Sequence, residues 1–344
     1  MANSAMHKSF LAEGRRGCTA GQAIKNWPAS GSPKQISAGI FNETYKVGAG
    51  REFFILQKLH QLISAAGPTD NYVAVTDFLR SKGFIMQTVV RAKKGDFLVK
   101  DGRRAWRLLR AVPGRFYTST NSLRLVREAG KMFGKIHGAL ADFKKPIHKT
   151  LPMFRYGAVL EKLKKYSPKL KKDKNPDVRR AAMFLSDNFP KCFLPDALPK
   201  RIIHTDPKIS NFIFDGRGRC ISIVDWDTVQ KLNPLYDLGD ALRSLCGKEE
   251  DDPGNKFNFK KYNAFLAGYF SGSKDYLSAR EKKLIPRAAG LVILGLATRF
   301  LNDYVDDFYF GWDKKCYKNR REHNLARALG QVALYKDFAK HKFD

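Results

Sequence analysis

The sequence predicts an α+β fold in two parts, a small antiparallel sheet followed by a larger, mainly helical region. Three observations lead to this prediction. Over the first third of the chain, β-prone segments alternate with glycine-containing turns, as at residues 48–50 and at Asp101-Gly102. From Ser122 onward, apolar residues recur at intervals of three and four, as in amphipathic helices. A chain of 344 residues is also long enough to give each part a core of its own.

The division of the chain follows from the composition around Pro113-Gly114, where the last predicted strand ends. We place a hinge there. We expect residues 1–34 to form a tail, residues 35–112 a sheet lobe and residues 113–344 a helical lobe. In the sheet lobe we predict strands at 35–36, 44–47, 52–57 and 84–90, a helix that begins near residue 69, and a hairpin over 96–112.

In the helical lobe, helices are predicted at 123–140, 156–163, 178–189, 257–270, 285–304 and 323–338. The segment 162–174 is rich in lysine and contains Pro168, so we expect a mobile loop there. His137 lies on a mostly apolar helical stripe and is predicted to be a packed core residue rather than a catalyst.

The most informative stretch spans residues 204–243 and contains a predicted β-hairpin. Asn211 opens the first strand and Asp225 ends the second, so the two side chains should meet at the open end of the hairpin. Asp206 could orient and deprotonate a hydroxyl, Asn211 and Asp225 offer the hard oxygen ligands that Mg²⁺ prefers, and Lys208 could reach a transferred phosphate. The pattern therefore favours phosphoryl transfer.

The motifs of this stretch resemble a known family. They are His-x-Asp-x-x-x-x-Asn from His204, Ile-Val-Asp ending at Asp225, and Pro-Leu-Tyr-Asp-Leu-Gly-Asp from Pro234. In this order they resemble the aminoglycoside phosphotransferase group of protein-kinase-like small-molecule kinases, and within it the N-acetylhexosamine 1-kinase-like branch. Residues 37–57, Trp106-Arg107 and residues 299–331 agree with the same branch, so the resemblance spans roughly residues 35–338. It implies a bilobal protein-kinase-like fold.

The resemblance also implies that ATP and magnesium bind between the two lobes. Gly39 would let the backbone approach a phosphate, and Asn42 and Thr44 would present polar groups to the nucleotide. Gln57 stands where protein kinases place a phosphate-pairing lysine, a departure that is typical of the branch. Asp237 would hydrogen-bond the backbone of the catalytic loop. Which side chain contacts the α-phosphate remains open.

Four residues are predicted to contact the acceptor. Asp227 would point the same way as Asp225 if the strand continued, and could support a second metal or bind the acceptor. Arg243 could bind sugar hydroxyls or the phosphate product. Arg299 and Asp303 share a helix face and match an Arg-Phe-Leu-x-Asp-Tyr stretch that lies at the sugar pocket of the branch.

Composition bounds the remaining possibilities. The chain has 63 basic and 33 acidic residues, a net charge of +30, which would attract ATP and, without specificity, nucleic acid. Its five cysteines are scattered and never spaced as Cys-x-x-Cys, so we expect neither a zinc site nor a disulfide framework. The N-terminal residues lack the apolar run of a secretory signal, and no apolar run approaches membrane-spanning length. We expect a cytoplasmic protein.

The predicted reaction is transfer of the γ-phosphoryl group of ATP to a sugar hydroxyl, foremost the anomeric hydroxyl of an N-acetylhexosamine-like sugar. An aminoglycoside, choline-like or homoserine-like acceptor stays open, because the acids at 249–252 and 306–307 could rim a pocket for a cation. A kinase-fold protein that binds nucleotide or RNA without catalysis is the alternative of another class. The sequence leaves the oligomeric state open.

Overall fold

The computed structural model describes residues 17–38, 42–48 and 52–343, with only the backbone described at Ser37 and Ala38. The described chain divides into two compact units. Unit 1 comprises residues up to Thr69 together with Thr88–Ala111, and unit 2 comprises Asp70–Gln87 and Val112 onward. An antiparallel sheet in unit 1 and many helices in unit 2 confirm the predicted α+β class.

Unit 1 is built on a six-stranded antiparallel sheet, in which β1, β2, β3, β6 and β4 are neighbours in that order and β5 pairs with β6. Strand pairing is continuous from Asn42↔Leu59 to Val47↔Phe54 between β2 and β3. Gly102, with φ 61°, makes the turn between the last two strands. The elements are α1 (Ala20–Ala23), β1 (Lys34–Ala38), β2 (Asn42–Val47), β3 (Phe54–Leu59), β4 (Thr88–Val90), β5 (Val99–Asp101) and β6 (Arg104–Arg110).

One face of this sheet is covered by a segment that the sequence assigned to the tail. Trp27 is only 1% exposed and packs with Ile24 against Leu56 and Trp106. Its indole Nε1 donates to the carbonyl of Val90 at 2.9 Å. The segment around Trp27 therefore packs on the sheet, although the sequence assigned it to a tail. Burial of the large apolar indole offsets the conformational entropy that is lost when a short segment becomes ordered.

Unit 2 contains the remaining helices and two small two-stranded sheets, β7 with β10 and β8 with β9. The helix α2 begins in unit 1 and belongs to unit 2 from Asp70 onward. The strands are β7 (Arg201–Ile203), β8 (Phe212–Phe214), β9 (Cys220–Ile223) and β10 (Gln230–Leu232). The helices are α2 (Ala66–Ser81), α3 (Leu123–Leu140), α4 (Tyr156–Lys171), α5 (Pro176–Asn188), α6 (Leu235–Cys246), α7 (Phe259–Ser273), α8 (Ala279–Lys283), α9 (Ile285–Asp306) and α10 (Arg320–Phe338).

The lysine-rich segment predicted as a mobile loop is helical as far as Lys171. Leu160, Leu163 and Leu170 are buried on one side of α4, and the lysines take the other side. Lysine is a good helix former, and its long stem stays in solvent at little cost, so charge density alone did not indicate a loop. Pro168 is accommodated inside the helix.

Helix α9 forms the centre of the unit 2 core. It is the one helix among the described residues that is long and apolar enough to cross a membrane, and 78% of its apolar window is buried inside the protein. It packs with α4, α5 and α10 in one hydrophobic cluster. Such burial is typical of a core helix, and the neighbouring elements account for its composition.

Candidate active site

The β-hairpin of unit 2 brings together the two predicted metal ligands. Strands β8 and β9 pair antiparallel with Phe212 opposite Ile223. The amide of Val224 then donates to the carbonyl of Asn211 at 2.9 Å, which sets the residue before Asp225 against Asn211. The geometry expected from the sequence is therefore present in the backbone.

Asp206 is the centre of a compact polar cluster. The ammonium of Lys208 lies 2.6 Å from its Oδ2, and Asn211 Nδ2 donates to its carbonyl at 2.7 Å and to Oδ2 at 3.3 Å. Burial would lower the pKa of Lys208, but the carboxylates of Asp206 and Asp225 outweigh burial and raise it. Lys208 is thus a protonated cation close to both acids.

Two site residues adopt left-handed backbone conformations that L-residues rarely use. Thr205 has φ 78° and Asp225 has φ 72°. Conformations of this kind cost about 1–3 kcal/mol each and persist where the surrounding structure enforces them. The first turns the chain immediately before Asp206, and the second lies at Asp225 itself. The fold therefore fixes the direction in which both carboxylate side chains leave the backbone.

Asp237, in the first turn of α6, holds the backbone of the loop that carries Asp206. Its two carboxylate oxygens accept the amide N–H groups of His204 at 2.7 Å and Thr205 at 2.6 Å. His137 Nε2 lies 3.1 Å from Asp237 Oδ2, and its Nδ1 lies 2.9 Å from the hydroxyl of Tyr269. The scaffold contact that the resemblance implied for Asp237 is therefore present. His137 is indeed buried, and it supports the site through Asp237.

His204 fixes the position of the next turn. Its Nδ1 accepts the amide N–H of Asp206 at 3.2 Å, so Nε2 carries the proton that is donated to the carbonyl of Val224 at 2.9 Å. Burial lowers the pKa of His204, while the carboxylates of Asp237 and Asp206 oppose the shift. A neutral imidazole thus ties the Asp206 loop to the hairpin end that carries Asp225.

A second group of charges lies near Asp206, and within it Asp240 is buried whereas Glu250 is partly exposed. Arg243 Nε donates to Asp240 Oδ1 at 2.9 Å, and its Nη1 lies 3.3 Å from Glu250 Oε1. Burial raises the pKa of Asp240, Arg243 opposes that shift, and the charge of Asp206 adds to it. The sequence predicted Arg243 as an acceptor residue and did not include Asp240. Its spacing of three residues from Arg243 on one helix was the available signal.

Asp303 does not join this group. Its carboxylate accepts the amides of Phe308, Tyr309 and Phe310 at 3.1, 2.7 and 2.9 Å, and Asn324 Nδ2 at 2.9 Å. These bonds fix the loop after α9 and give Asp303 a structural role, while its contact with the acceptor stays a prediction. A carboxylate that accepts four hydrogen bonds has little capacity left for a ligand.

Arg299 and Asp227, two further residues predicted to contact the acceptor, lie on α9 and just after β9. Arg299 lies over the rings of Tyr309 and Phe310, at 5.5 and 5.3 Å from their centroids. Strand β9 ends at Ile223, before the left-handed Asp225, so the strand alternation that aligned Asp227 with Asp225 does not apply. Asp227 is buried, at 4% exposure.

The acids that could have rimmed a cationic pocket are mostly engaged elsewhere. Asp306 contacts Tyr166 and Lys162, and Asp307 pairs with Arg320 and Arg321. Glu250 is the member of these runs that joins the Arg243 group.

The predicted nucleotide residues lie on unit 1. Thr44 is paired with Gln57 across β2 and β3, and Asn42 accepts the amide of His60 through Oδ1 at 3.1 Å. The side-chain oxygen of Gln57 accepts two N–H groups of Arg107. Gly39 lies outside the described residues.

The donor set around the hairpin fits a magnesium ion that is bound together with a nucleotide. Among the described residues there is no group of three or more His, Cys, Asp or Glu side chains that could hold a metal by themselves. Mg²⁺ commonly takes one or two protein oxygens and completes its shell with phosphates and water. Asn211 and Asp225 would supply such a pair, and because Asn211 Nδ2 donates to the carbonyl of Asp206, the side-chain oxygen of Asn211 would be the coordinating atom.

Comparison with known proteins places this site in a family. The sequence pattern of the phosphotransferase enzyme family (APH) matches residues 32–280. A homoserine kinase of Zymomonas mobilis is 24% identical over 280 residues, which cover 80% of this chain and 82% of the relative. A homoserine kinase of Rhodopseudomonas palustris is 24% identical over 270 residues, covering 78% and 77%.

Solved structures show the same fold at lower identity. A microcompartment-associated aminopropanol kinase has a TM-score of 0.68 at 18% identity, covering 93% of this chain and 97% of the other. An amicoumacin kinase in complex with AMP-PNP, Ca²⁺ and its ligand has a TM-score of 0.61 at 15% identity, with 91% of both chains covered. An aminoglycoside phosphotransferase from Alicyclobacillus acidocaldarius has a TM-score of 0.61 at 13% identity, covering 96% and 98%. The comparisons confirm the family and the protein-kinase-like fold, but they do not confirm the N-acetylhexosamine branch. The chain therefore belongs to the phosphotransferase enzyme family and is a phosphotransferase that uses an alcohol group as acceptor.

Proposed function

We propose that the protein transfers the γ-phosphoryl group of ATP to the hydroxyl of a small acceptor that also carries an amino group, such as a homoserine-like amino acid or an amino alcohol. The observation that carries this proposal is the Asp240–Arg243–Glu250 group near Asp206, in which Asp240 is buried. A carboxylate there suits an ammonium, and the arginine fork suits a carboxylate. The kinase names of the relatives support the same class of acceptor.

Asp206 would act as the general base. Its carboxylate takes the hydroxyl proton while the hydroxyl oxygen forms a bond to the γ-phosphorus and the bond to the β-γ bridging oxygen breaks, which releases ADP. Lys208 would neutralise charge on the transferred group, since its ammonium already lies beside Asp206 and Asp225. Magnesium, held by Asn211 and Asp225, would supply charge neutralisation on the phosphates. The left-handed Thr205 and the contacts of Asp237 keep the base in position.

A sugar hydroxyl remains the second candidate acceptor. It is supported by the resemblance of residues 299–304 to the N-acetylhexosamine branch. In addition, the charges of Arg299, Arg243 and Asp240 all influence the pKa of the buried Tyr156, so the two arginines predicted to contact the sugar lie near one side chain. The structural role of Asp303 weakens this candidate. Asp303 is one of the two residues of that helix predicted to contact the sugar, and its carboxylate already binds the amides of the following loop.

The test is Mg²⁺-dependent ADP release from ATP with L-homoserine, 1-amino-2-propanol, ethanolamine, choline, an aminoglycoside and N-acetylhexosamines, with the product position determined by ³¹P NMR. We expect turnover with an amino-bearing acceptor. Turnover confined to an N-acetylhexosamine, with a 1-phosphate product, would favour the second candidate. No turnover with any acceptor, although ATP binds, would contradict both.

The variant that tests the general base is Asp206→Asn, which keeps the shape of the side chain. Loss of a positioned general base costs typically about 10²- to 10⁴-fold in kcat, whereas ATP affinity should change little. Retained turnover in this variant would remove Asp206 as the base.

A further inference from the structure

A cleft of about 520 Å³ lies within unit 2, at the turn end of the β8–β9 hairpin. Three parts of the chain line it: residues 82–85 after α2, α3 between Glu128 and Lys135, and residues 219–221 at the beginning of β9. The predicted metal ligands Asn211 and Asp225 lie at the other, open end of the hairpin. Small-molecule sites usually have volumes of about 300–1,000 Å³, so the cleft is large enough to be one.

The charged side chains of the cleft are mostly cations. Four basic residues and one acid contribute to its lining, namely Lys82, Lys131, Lys135, Arg219 and Glu128. Lys82 pairs with Asp142 at 3.2 Å and Arg219 pairs with Asp215 at 2.7 Å, so these two charges are balanced within the protein. Lys131 and Lys135 form no ion pair with any residue that the structure describes. They lie four residues apart on one helix, where like charges repel, and an anion between them would relieve that repulsion.

The backbone that carries these two lysines is held in place by α7. A Cβ at Gly272 would stand 2.2 Å from the carbonyl oxygen of Lys131 and 3.0 Å from the amide nitrogen of Lys135. Because the two helix backbones touch, α3 cannot turn to move the lysines away from the cleft. Both side chains therefore start from fixed points on its wall, which reduces the ordering that a ligand would have to impose.

The rest of the lining is apolar and consists of Phe84, Ile85, Met132, Cys220 and Ile221. Ile85 exposes 55% of its surface, so a large aliphatic side chain faces water at this cleft. Burial raises the pKa of the Cys220 thiol, which therefore stays neutral and adds apolar surface rather than a nucleophile. A ligand that covered Ile85 would remove this apolar surface from water.

We propose that the cleft binds a small amphiphilic anion that is free in solution. Its acidic group contacts Lys131 and Lys135, and its apolar part packs against Ile85 and Met132. An inorganic anion would leave Ile85 in water, and a neutral apolar molecule would leave the repulsion between the lysines in place. The site is distinct from the proposed active site, and the inference does not depend on the acceptor of the phosphoryl group.

The test uses three probes that separate the two halves of such a ligand. 1-Naphthalenesulfonate carries an acidic group and an apolar part, methanesulfonate carries only the acidic group, and 1-naphthalenemethanol carries only the rings. Titration calorimetry measures their affinity for the full chain at about 150 mM salt, with ADP and Mg²⁺ in excess so that the nucleotide site is filled. We expect naphthalenesulfonate to bind at a single site and the other two probes to bind at least about tenfold more weakly. Absence of naphthalenesulfonate binding, or equal binding of methanesulfonate, would overturn the proposal.

A pair of double variants separates the cleft from the general charge of the protein. Lys131→Ala/Lys135→Ala should weaken naphthalenesulfonate binding by about tenfold or more. The matched control, Lys165→Ala/Lys169→Ala, removes the same charge at the same spacing from the exposed side of α4, and its affinity should stay within about twofold of the wild type. An equal loss in both double variants would show attraction to the net charge alone and would overturn the proposal.

Ile85→Ser tests the apolar wall. It should weaken naphthalenesulfonate binding by about threefold or more, because apolar contact area is lost, and it should leave Tm unchanged because the side chain is exposed. Unchanged affinity would contradict an apolar contact at Ile85.

Two further measurements complete the test. Should Lys131→Ala/Lys135→Ala fail to fold, Lys135→Met alone should still weaken naphthalenesulfonate binding, and unchanged affinity in that variant would contradict the lysine contact. The second measurement is competition with an unrelated oligonucleotide. Displacement of the probe, together with a larger loss of oligonucleotide affinity in Lys131→Ala/Lys135→Ala than in Lys165→Ala/Lys169→Ala, would assign the cleft to polyanions instead of a small molecule.

Discussion

Asp240 is a carboxylate that combines burial with a close cation, and this combination suits recognition of a charged substrate group. Burial raises its pKa, whereas the guanidinium of Arg243, 2.9 Å away, opposes the shift. Buried acids with a specific charged partner are frequent at functional sites. The position of Asp240 near Asp206 is what separates it from an ordinary structural ion pair.

We therefore expect Asp240→Asn to impair use of the acceptor and not of the nucleotide. The KM for an amino-bearing acceptor should rise by about tenfold or more, because an amide gives an ammonium no countercharge, while the KM for ATP should stay within about twofold. Steady-state kinetics with each substrate varied in turn measure both values. The control is Asp187→Asn on the exposed side of α5, which should change neither. A parallel rise in both KM values would contradict a specific role for Asp240.

His204 provides a prediction about pH and stability. Burial lowers its pKa below the usual 6.5, so the unfolded chain binds a proton more readily than the folded protein does. The stabilisation is fully present above the unfolded pKa and is lost as the pH falls through that value towards the folded pKa. The charged groups that influence it are Asp237, Asp206 and Lys208.

The measurement is denaturant unfolding of the wild type and His204→Asn between roughly pH 7.5 and roughly pH 5.5. The wild type should lose more unfolding free energy over this interval than the variant, because the variant lacks the group that titrates. Identical pH dependence in the two proteins would show that His204 is not kept neutral by the fold.

At the scale of elements, the closest helix contact of unit 2 is made by glycines. Gly130 and Gly134 of α3 face α7, where Gly268 and Gly272 lie. A Cβ at Gly134 would stand 2.2 Å from the carbonyl oxygen of Tyr269, and one at Gly268 would stand 2.0 Å from that of Arg127. Backbone atoms cannot yield as a flexible side chain can, so these positions require glycine. The contact also sets the position of His137, one turn further along α3.

Gly134→Ala should therefore destabilise the protein although alanine is the better helix former. Overpacking of this kind costs typically about 1–3 kcal/mol, which lowers Tm by roughly 2–4 °C per kcal/mol in a unit of this size. The matched control is Gly157→Ala in α4, where an added Cβ meets nothing within 4 Å. That variant should be neutral or slightly stabilised. Differential scanning calorimetry compares the two, and equal Tm values would contradict the close packing.

Features that depend on residues close in the sequence could be predicted, whereas contacts between residues far apart in the sequence could not. The hairpin and the α3 helix follow from local spacing, and both are present in the structure. The spacing of Asp206, Asn211 and Asp225 is also local, and the hairpin backbone sets Asn211 beside the strand end that carries Asp225, as expected. The role of Asp303 was missed because its partners, the amides after α9, can be recognised only when the chain turn is known. Likewise His137 was correctly predicted as buried, but its bond to Asp237 joins residues a hundred positions apart.

At the scale of the whole molecule, the dominant feature is the net charge of +30. Part of it is exposed on the solvent side of α4, where Lys165 and Lys169 are four residues apart, and neither forms an ion pair within the part of the chain that the structure describes. Like charges at this spacing repel, and a field of one sign attracts polyanions without reading their sequence. The alternative of a dedicated RNA-binding function would instead require discrimination between sequences or shapes.

We expect binding to nucleic acid to be purely electrostatic. Unrelated DNA and RNA oligonucleotides of equal length should bind with similar affinity, and binding should weaken steeply between about 50 mM and about 200 mM salt as counterion release loses its advantage. Fluorescence anisotropy across a salt series measures both properties. Lys165→Glu/Lys169→Glu should weaken binding to all oligonucleotides alike and leave phosphoryl transfer unchanged, because these residues lie on the exposed side of α4, apart from the hairpin proposed to carry the metal ligands. Strong preference for one sequence that survives at the higher salt would instead support a specific nucleic-acid function, since base recognition does not depend on the long-range field that salt screens.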